Sequence, residues 1–259
     1  MKKVLAALDN SLAAKALLAV ARTFATLLDA EVEAVHVRTN GDRTARSSAA
    51  AAGVPFRTLE GAVVERLVEA GGATDVVALA IGARGTPSES RPLGGTASAV
   101  ASALPKPVMI VPPDADPPGA FRRVLVPIEG LVSDALAPQW LFEPAVEAGI
   151  DVLALHIHDA DSIPAFTDQP QHEQPAWAAE FVRRYCRWGI GEVRLETRVG
   201  RIGELIPVVA AESECDLIAL GWSQELLSAR APVVRETLER APLPLLLVPV
   251  STLDEIDGD

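Results

Sequence analysis

Apolar residues in the first part of the chain form short β-branched runs that alternate with longer stretches rich in Ala and Leu. Short apolar runs bounded by polar residues are typical of buried strands, and apolar residues spaced three and four apart are typical of amphipathic helices. The pattern predicts strands near residues 3–9, 31–38, 55–60, 75–81 and 107–112. It predicts helices between them at about 11–28, 43–52, 61–72 and 95–104.

This alternation of strands and helices predicts an α/β fold. A tight turn cannot join two parallel strands, so strands separated by helical crossovers form a parallel sheet. Helices on both faces make the sheet doubly wound. Ligands of such sheets bind beyond the carboxyl ends of the strands, so candidate binding residues are expected directly after strands.

The same pattern occurs twice along the chain. KKVLAALD at residues 2–9 is repeated with changes as RRVLVPIE at 122–129, an offset of 120. Residues 60–82 match 199–221 at an offset of 139, and LPKPVMIVPP at 104–113 matches APLPLLLVPV at 241–250 at an offset of 137. The repeat predicts a tandem duplication, with one domain at residues 1–113 and a second at 122–250.

Three further segments lie outside the repeated pattern. Residues 114–121 are rich in proline and acidic side chains and are predicted to be the linker between the domains. Residues 251–259 are predicted to be a solvated acidic tail. The second copy also has a longer excursion at 158–173, which we expect to be an exposed loop.

The composition argues against several classes of function. The net charge of -12 and the scattered basic residues disfavour nucleic-acid binding. No apolar run approaches the roughly 20 residues of a membrane-spanning helix, and Asp9 interrupts the apolar region of any export signal, so a cytoplasmic protein is expected. Cys186 and Cys215 lack the spacing of metal ligands and are expected to be two buried thiols.

A glycine-rich segment follows the fourth predicted strand. IGARGTPSESRPLGGTASAVASAL, residues 81–104, contains Gly82, Gly85 and Gly95 and no lysine. Glycines let the backbone approach a ligand, and the start of a helix at Gly95 and Thr96 favours an anion, with Thr96 as the predicted N-cap. Neither a Walker loop nor the dinucleotide fingerprint fits. From composition alone, a surface loop that binds no ligand is an alternative interpretation of this segment.

The spacing of these residues resembles a known family. Gly82-x2-Gly85-x9-Gly95-Thr96 is similar to the pattern G-x2-G-x9-G-[S/T] of the nucleotide-binding universal stress proteins. VLAALDNS resembles their first strand, VHV their second and PKPVMIVPP their last. The resemblance implies two tandem five-stranded sheets of strand order 3-2-1-4-5, an adenine nucleotide alpha hydrolase-like fold, with ATP across the carboxyl ends of strands one and four.

The resemblance also implies the residues of one nucleotide site. Asp9 would contact the nucleoside, and Ala7 and Val37 would line the base. The ribose and phosphates would be surrounded by Gly82, Arg84, Gly85, Gly95, Thr96 and Ala97. The same contacts would accept ADP, AMP or a cyclic dinucleotide, and Mg²⁺ would be held by the phosphates.

Two features depart from the family pattern in the first copy. Ala7 stands where nucleotide-binding members often have proline, and the effect is expected to be small because the backbone can contact the base. The segment 39–54 leaves room for only about ten helical residues. We therefore expect one wall of the site to be thin.

The second copy breaks the pattern at the informative positions. Glu129 stands where Asp9 stood, and Gln224 replaces Gly85. The Gly-Thr pair becomes Pro232-Val233 or Val234-Arg235, depending on where a two-residue gap is placed, and only Gly221 remains. Gln224 and the altered helix start are expected to crowd the phosphates, so one functional site is predicted, in the first copy.

Two other clusters have weaker functional interpretations. The densest group of metal-ligating types is His156, His158, Asp159, Asp161 and His172. His156 is the repeat partner of His36, which has no comparable neighbours, so a structural role shared by both histidines is favoured. Arg183, Arg184 and Arg187 lie beside Tyr185 and Trp188, and a solvated helix face is favoured over nucleic-acid stacking.

Catalysis is not expected. Nucleotide hydrolysis needs a base that positions water and groups that neutralise the terminal phosphate, and the loop offers only Glu89, Arg84 and Arg91. The leading hypothesis is a nucleotide-dependent stress-response regulator, in which ATP changes the loop 83–95 and the surface offered to protein partners. The alternative is a nucleotide-independent scaffold. The last strands of the two copies are expected to pair within the chain, and a homodimer is left open.

Overall fold

Strands and helices alternate along the chain. The computed structural model describes residues 1–11, 13–38, 41–84, 93–128, 139–158, 170–186, 193–222, 224 and 230–249. The strands in these ranges are β1 (Lys3–Ala7), β2 (Glu31–Val37), β3 (Phe56–Leu59), β4 (Val76–Gly82), β5 (Val108–Val111), β6 (Arg123–Pro127), β7 (Asp151–His158), β8 (Arg194–Val199), β9 (Leu217–Trp222) and β10 (Leu245–Pro249). The helices are α1 (Ala14–Leu27), α2 (Arg43–Ala51), α3 (Val63–Gly72), α4 (Gly95–Ala103), α5 (Gln139–Glu147), α6 (Pro170–Tyr185), α7 (Ile202–Glu212) and α8 (Arg230–Arg240).

All ten strands belong to one sheet, whose order is β3-β2-β1-β4-β5-β10-β9-β6-β7-β8. Strands within each half pair in parallel, and each half has the strand order 3-2-1-4-5. The predicted α/β class and strand order are therefore confirmed. At the centre, β5 and β10 pair antiparallel, with Met109 opposite Leu246.

Helices cover both faces of the sheet, because successive side chains of a strand point to opposite faces. Val4 and Ala6 of β1 belong to one apolar core, which includes Phe24 of α1. Leu5 belongs to the other core, which includes Val100 of α4. Each core contains buried residues of both halves, so the two halves share one three-layer body.

Two helices begin later than predicted. α1 begins at Ala14 rather than near residue 11, since Asp9 Oδ1 accepts a hydrogen bond from the Ser11 N–H at 2.9 Å and holds a turn there. α3 begins at Val63 rather than at Gly61, whose φ of +128° is incompatible with a helix. Both changes lengthen the loops at the carboxyl edge of the sheet.

The predicted loop at 158–173 is wrong at both ends. His158 is the last residue of β7, and α6 already begins at Pro170. Proline suits the first position of a helix because its φ is helical and no N–H is lost there. Residues 159–169 lie outside the described ranges.

The connection between the two halves packs against the first half. Residues 112–122 form neither helix nor strand, but Ala115 and Phe121 are buried in the core that α1 covers. Thr23 of α1 donates a hydrogen bond to the Pro118 carbonyl at 2.9 Å. The segment is therefore fixed at several points, and the exact domain boundaries stay a prediction.

Within the described ranges, no helix combines the length and the apolar character that a membrane-spanning helix needs. The predicted acidic tail at 251–259 lies outside these ranges.

Candidate functional site

A cavity of about 560 Å³ opens at the carboxyl ends of β1 and β4. This is the position at which the chain order reverses in the first half, and ligands of doubly wound sheets bind there. The lining residues are Ala7, Leu8, Asp9, Asn10, Ser11, Ala13, Ala14, Leu17, His36, Val37, Val63, Leu67, Ile81, Gly82, Ala83, Arg84, Gly94, Gly95, Thr96 and Ala97. We call it the first-half cavity.

The predicted site residues come together in this cavity. Its lining includes the predicted residues Ala7, Asp9, Val37, Gly82, Arg84, Gly95, Thr96 and Ala97. Gly85, the remaining predicted residue, lies outside the described ranges.

One end of the first-half cavity is the start of α4. The N-cap is Gly94 in an extended conformation, and among the described residues no side chain caps this helix start. The prediction of Thr96 as N-cap is therefore wrong, since Thr96 is the second residue of the helix. The first N–H groups of a helix have no partner within it and carry partial positive charge, so this end favours an anion.

Gly94 holds the start of α4 close to the end of β4. Its N–H donates to the Ala83 carbonyl at 2.7 Å, and a Cβ on Gly94 would lie only 3.3 Å from the same oxygen. Sequence reasoning missed Gly94 because the family pattern requires only Gly95. The Gly-Gly pair itself was the available signal.

Gly95 and Gly82 are not needed for packing within the protein. Among the described residues, a Cβ at Gly95 would meet nothing within 4 Å, and one at Gly82 would approach only the Arg84 carbonyl, at 3.7 Å. Neither residue has a positive φ. The absent side chains therefore leave space in the cavity rather than relieve a clash or a strained backbone.

Another part of the cavity lining is apolar. Ala7 and Val37 are almost fully buried at the ends of β1 and β2. Val63 and Leu67 of α3 add apolar surface to the same lining. We call these four residues the apolar side of the cavity.

The described residues of α2 are absent from the cavity lining. This helix spans Arg43–Ala51, close to the ten residues expected from the sequence. The wall on this side is formed instead by Asn10 and His36.

His36 and Asn10 tie the start of α2 to the end of β1. His36 Nδ1 lies 2.8 Å from the Leu8 carbonyl and Nε2 lies 2.9 Å from the Gly41 carbonyl. A neutral imidazole donates to one of these oxygens, and an imidazolium donates to both. Asn10 Nδ2 also donates to the Gly41 carbonyl at 3.0 Å, and its Oδ1 accepts from the Ala45 N–H at 3.2 Å. No local residue pattern indicates this network.

The second half has a much smaller, apolar crevice at the equivalent position. Its volume is about 40 Å³, and it retains Gly221. Ile157 stands where the first half has Val37, and Pro127 stands where it has Ala7. The lining residues are Pro127, Ile128, Leu155, Ile157, Ile202, Ile206, Leu220, Gly221, Val233 and Val234. Larger apolar side chains thus fill the space that is open in the first half.

Gln224 does not take the position expected of it. We expected its side chain to crowd a phosphate site in the second half, whereas its Nε2 donates to the Leu104 carbonyl in the first half at 2.7 Å. Glu129, which replaces Asp9, lies outside the described ranges.

His156 and His158 of β7 lie among packed aromatic side chains. His156 Nδ1 lies 2.8 Å from the Ile128 carbonyl, the counterpart of the His36 contact with Leu8, so the shared role is confirmed. The His156 and His158 rings lie 4.4 Å apart, and Phe181 packs against His156. Within the described ranges, no three His, Cys, Asp or Glu side chains are grouped as metal ligands. Asp159 and Asp161 lie outside those ranges.

The remaining predictions concern thiols and basic residues. Cys186 and Cys215 are buried free thiols, as predicted. Arg183 is exposed and forms an ion pair with Glu180 on the same helix. Arg187 and Trp188 lie outside the described ranges.

Comparisons with known proteins agree with this architecture. A family model described as the universal stress protein family matches residues 120–249. No curated protein matches the chain. A universal stress protein from Archaeoglobus fulgidus DSM 4304 is similar in structure with a TM-score of 0.70 at 16% identity, over 96% of this chain and 98% of its own.

Two further solved structures are similar. A protein of unknown function from Pseudomonas aeruginosa PAO1 has a TM-score of 0.67 at 13% identity, over 99% of this chain and 96% of its own. A universal stress protein solved in complex with cAMP has a TM-score of 0.39 at 18% identity, over 50% of this chain and 98% of its own. Since the family model covers half of the chain and the fold agrees over nearly all of it, the chain belongs to the universal stress protein family.

Proposed function

We propose that the first half of the chain binds ATP or a related adenine nucleotide, and that the protein is a cytoplasmic, nucleotide-dependent regulator of stress responses. One observation carries the proposal: a single cavity joins the apolar side to a helix start that no described side chain caps. A nucleotide has the matching chemistry, since its base is flat and largely apolar on its faces and its phosphates are anionic.

The size of the first-half cavity supports a ligand of this class. Its volume of about 560 Å³ falls within the range of roughly 300–1,000 Å³ that is typical of small-molecule sites. The crevice of about 40 Å³ in the second half is too small for a nucleotide. We therefore propose one nucleotide for each chain.

The proposed phosphate end combines several weak attractions for an anion. The N–H groups of Gly95, Thr96 and Ala97 occupy the first turn of α4, where the helix dipole is positive. Arg84 lines the same cavity and adds a formal positive charge. Mg²⁺, where present, would be held by phosphate oxygens, because Asp9 is the one carboxylate among the described lining residues.

We propose regulation by binding rather than catalysis. Oδ1 of Asp9 already accepts a hydrogen bond from the Ser11 N–H, so this carboxylate is engaged in holding a turn. Hydrolysis would need a group that positions water beside the terminal phosphate, and the described lining residues offer no second carboxylate for it. Nucleotide occupancy would instead favour one arrangement of the surface around the start of α4.

Isothermal titration calorimetry tests the proposal. The unmodified chain is titrated with ATP, ADP, AMP, cAMP and a cyclic dinucleotide, and at least one adenine nucleotide is expected to bind. Gly95→Glu places a carboxylate in the cavity, where no atom of the described residues lies within 4 Å of the new Cβ. We expect it to fold normally and to weaken nucleotide binding by about 100-fold or more, because like charges in a binding site cost several kcal/mol.

Gly119→Glu is the matched control. It makes the same charge change at another glycine, where no atom of the described residues lies within 4 Å of the added Cβ. Gly119 is an exposed position of the connection between the halves. Binding by this variant should equal that of the unmodified chain. If no adenine nucleotide binds the unmodified chain, the alternative of a nucleotide-independent scaffold is favoured. Dimerisation of whole chains is a separate prediction, which analytical ultracentrifugation tests.

A further inference from the structure

A side chain of the second half contacts the helix that forms the phosphate end of the first-half cavity. Gln224 Nε2 donates to the Leu104 carbonyl at 2.7 Å and lies 3.4 Å from the Ala101 carbonyl. These carbonyls belong to the last turn of α4 and the residue after it, whereas Gly95 begins the helix at the cavity. Leu104 and Ala101 are almost fully buried and Gln224 is partly buried, so the contact is only partly open to water.

The end of α4 requires donors from outside the helix. The last carbonyls of any helix lack partners within it. The Ala101 carbonyl would accept from the N–H four residues later, but that residue is Pro105, which has no N–H. The Gln224 amide donates to these two carbonyls, and donors at this end also complement the negative end of the helix dipole.

The backbone of Gln224 has a conformation that is unfavourable for a residue with a side chain. Its φ is +62°, a left-handed conformation that favours glycine. In the repeat it corresponds to Gly85, which follows β4 in the first half. A glycine there would adopt this conformation at lower cost, yet the second half carries a residue whose side chain reaches α4.

We propose that Gln224 links the second half to the nucleotide site through α4, an inference that rests on the proposed nucleotide binding. A helix of nine residues is marginal alone, so contacts at its ends determine how well it is ordered. A nucleotide at Gly95 and the Gln224 amide at Leu104 stabilise the same helix. Each therefore strengthens the other, because coupling between two binding events is reciprocal.

Calorimetry with ATP on position 224 variants tests the link. Gln224→Ala and Gln224→Gly remove the amide and should each weaken ATP binding by about three-fold and by no more than about ten-fold, because the coupling cannot exceed the worth of one hydrogen bond. Gln224→Gly also relieves the positive φ and is expected to fold at least as well as the unmodified chain. Gln224→Glu should weaken binding at least as much, since a carboxylate would face two carbonyl oxygens.

Glu214→Gly is the matched control. Glu214 also has a positive φ, of 52°, but it precedes β9 at the opposite edge of the sheet. This variant should bind ATP within about two-fold of the unmodified chain, since no group that touches α4 is removed.

Amide hydrogen exchange provides a readout that a purely structural role would not change. ATP should slow exchange of the Leu104 amide, which donates to the Val100 carbonyl at 2.9 Å, and should slow it less in Gln224→Gly. If ATP binds the unmodified chain and Gln224→Gly equally, the link is wrong and the proposed function stands. If ATP binds neither, both are wrong.

Discussion

At the scale of single residues, burial controls the chemistry of the two thiols. Burial raises the pKa of Cys186 to about 12 and the pKa of Cys215 to about 11, although Arg123 slightly opposes the second shift. Thiolates are the reactive form of cysteine. Both thiols are therefore expected to be inert in the folded protein, which agrees with the lack of metal-ligand spacing around them.

Thiol titration tests the expected inertness of the two thiols, and pH-dependent unfolding tests their raised pKa values. At pH 8, a disulfide reagent such as DTNB should react slowly with the native protein and rapidly with both thiols after denaturation. Because folding raises each pKa above its usual value near 9, these groups stabilise the protein fully below pH 9. The free energy of unfolding should then fall as the pH rises from 9 towards 11. Rapid reaction of native thiols would contradict this account.

Some residues of the candidate site could be predicted from the sequence, and the place of others could not. The residues of the family pattern, such as Gly82 and Thr96, could be placed because spacing alone identifies them. The repeat indicated a structural role for His36, but its place in the cavity lining could not be predicted, because its contacts are carbonyl oxygens of Leu8 and Gly41 and backbone groups leave no trace in a residue pattern.

At the scale of elements, the start of α4 contains two adjacent glycines with different roles. Gly94→Ala should lower the free energy of unfolding by about 1–3 kcal/mol, because the added Cβ crowds the Ala83 carbonyl. Gly95→Ala meets no atom and should leave stability unchanged or slightly higher, since alanine favours helices over glycine. Chemical denaturation of both variants measures the difference. Equal losses would mean that the close approach at Gly94 is unimportant.

Element positions were largely predictable, and the exceptions have local causes. Apolar periodicity placed α2 and β4 to within one residue, because both are buried on a regular face. It placed the start of α1 three residues early, because the Asp9 turn competes with the helix. The contact of Gln224 with α4 was not predictable, since 120 residues separate it from Leu104 and only the fold brings them together.

At the scale of the whole molecule, the two halves have the same strand order but cavities of different size. The halves share a continuous sheet through β5 and β10, so neither core is complete alone. The first half keeps an open cavity, and the second half has filled the equivalent space with larger apolar side chains. Gln224 of the second half makes a contact between the halves through the Leu104 carbonyl.

The central claim is that one chain holds one adenine nucleotide, in the first half. A crystal structure of the protein grown with ATP tests it most directly. We expect nucleotide density between the apolar side of the first-half cavity and the start of α4, with phosphates beside Gly95. Nucleotide density in the second-half crevice, or a first-half cavity filled by the protein's own side chains, would contradict it.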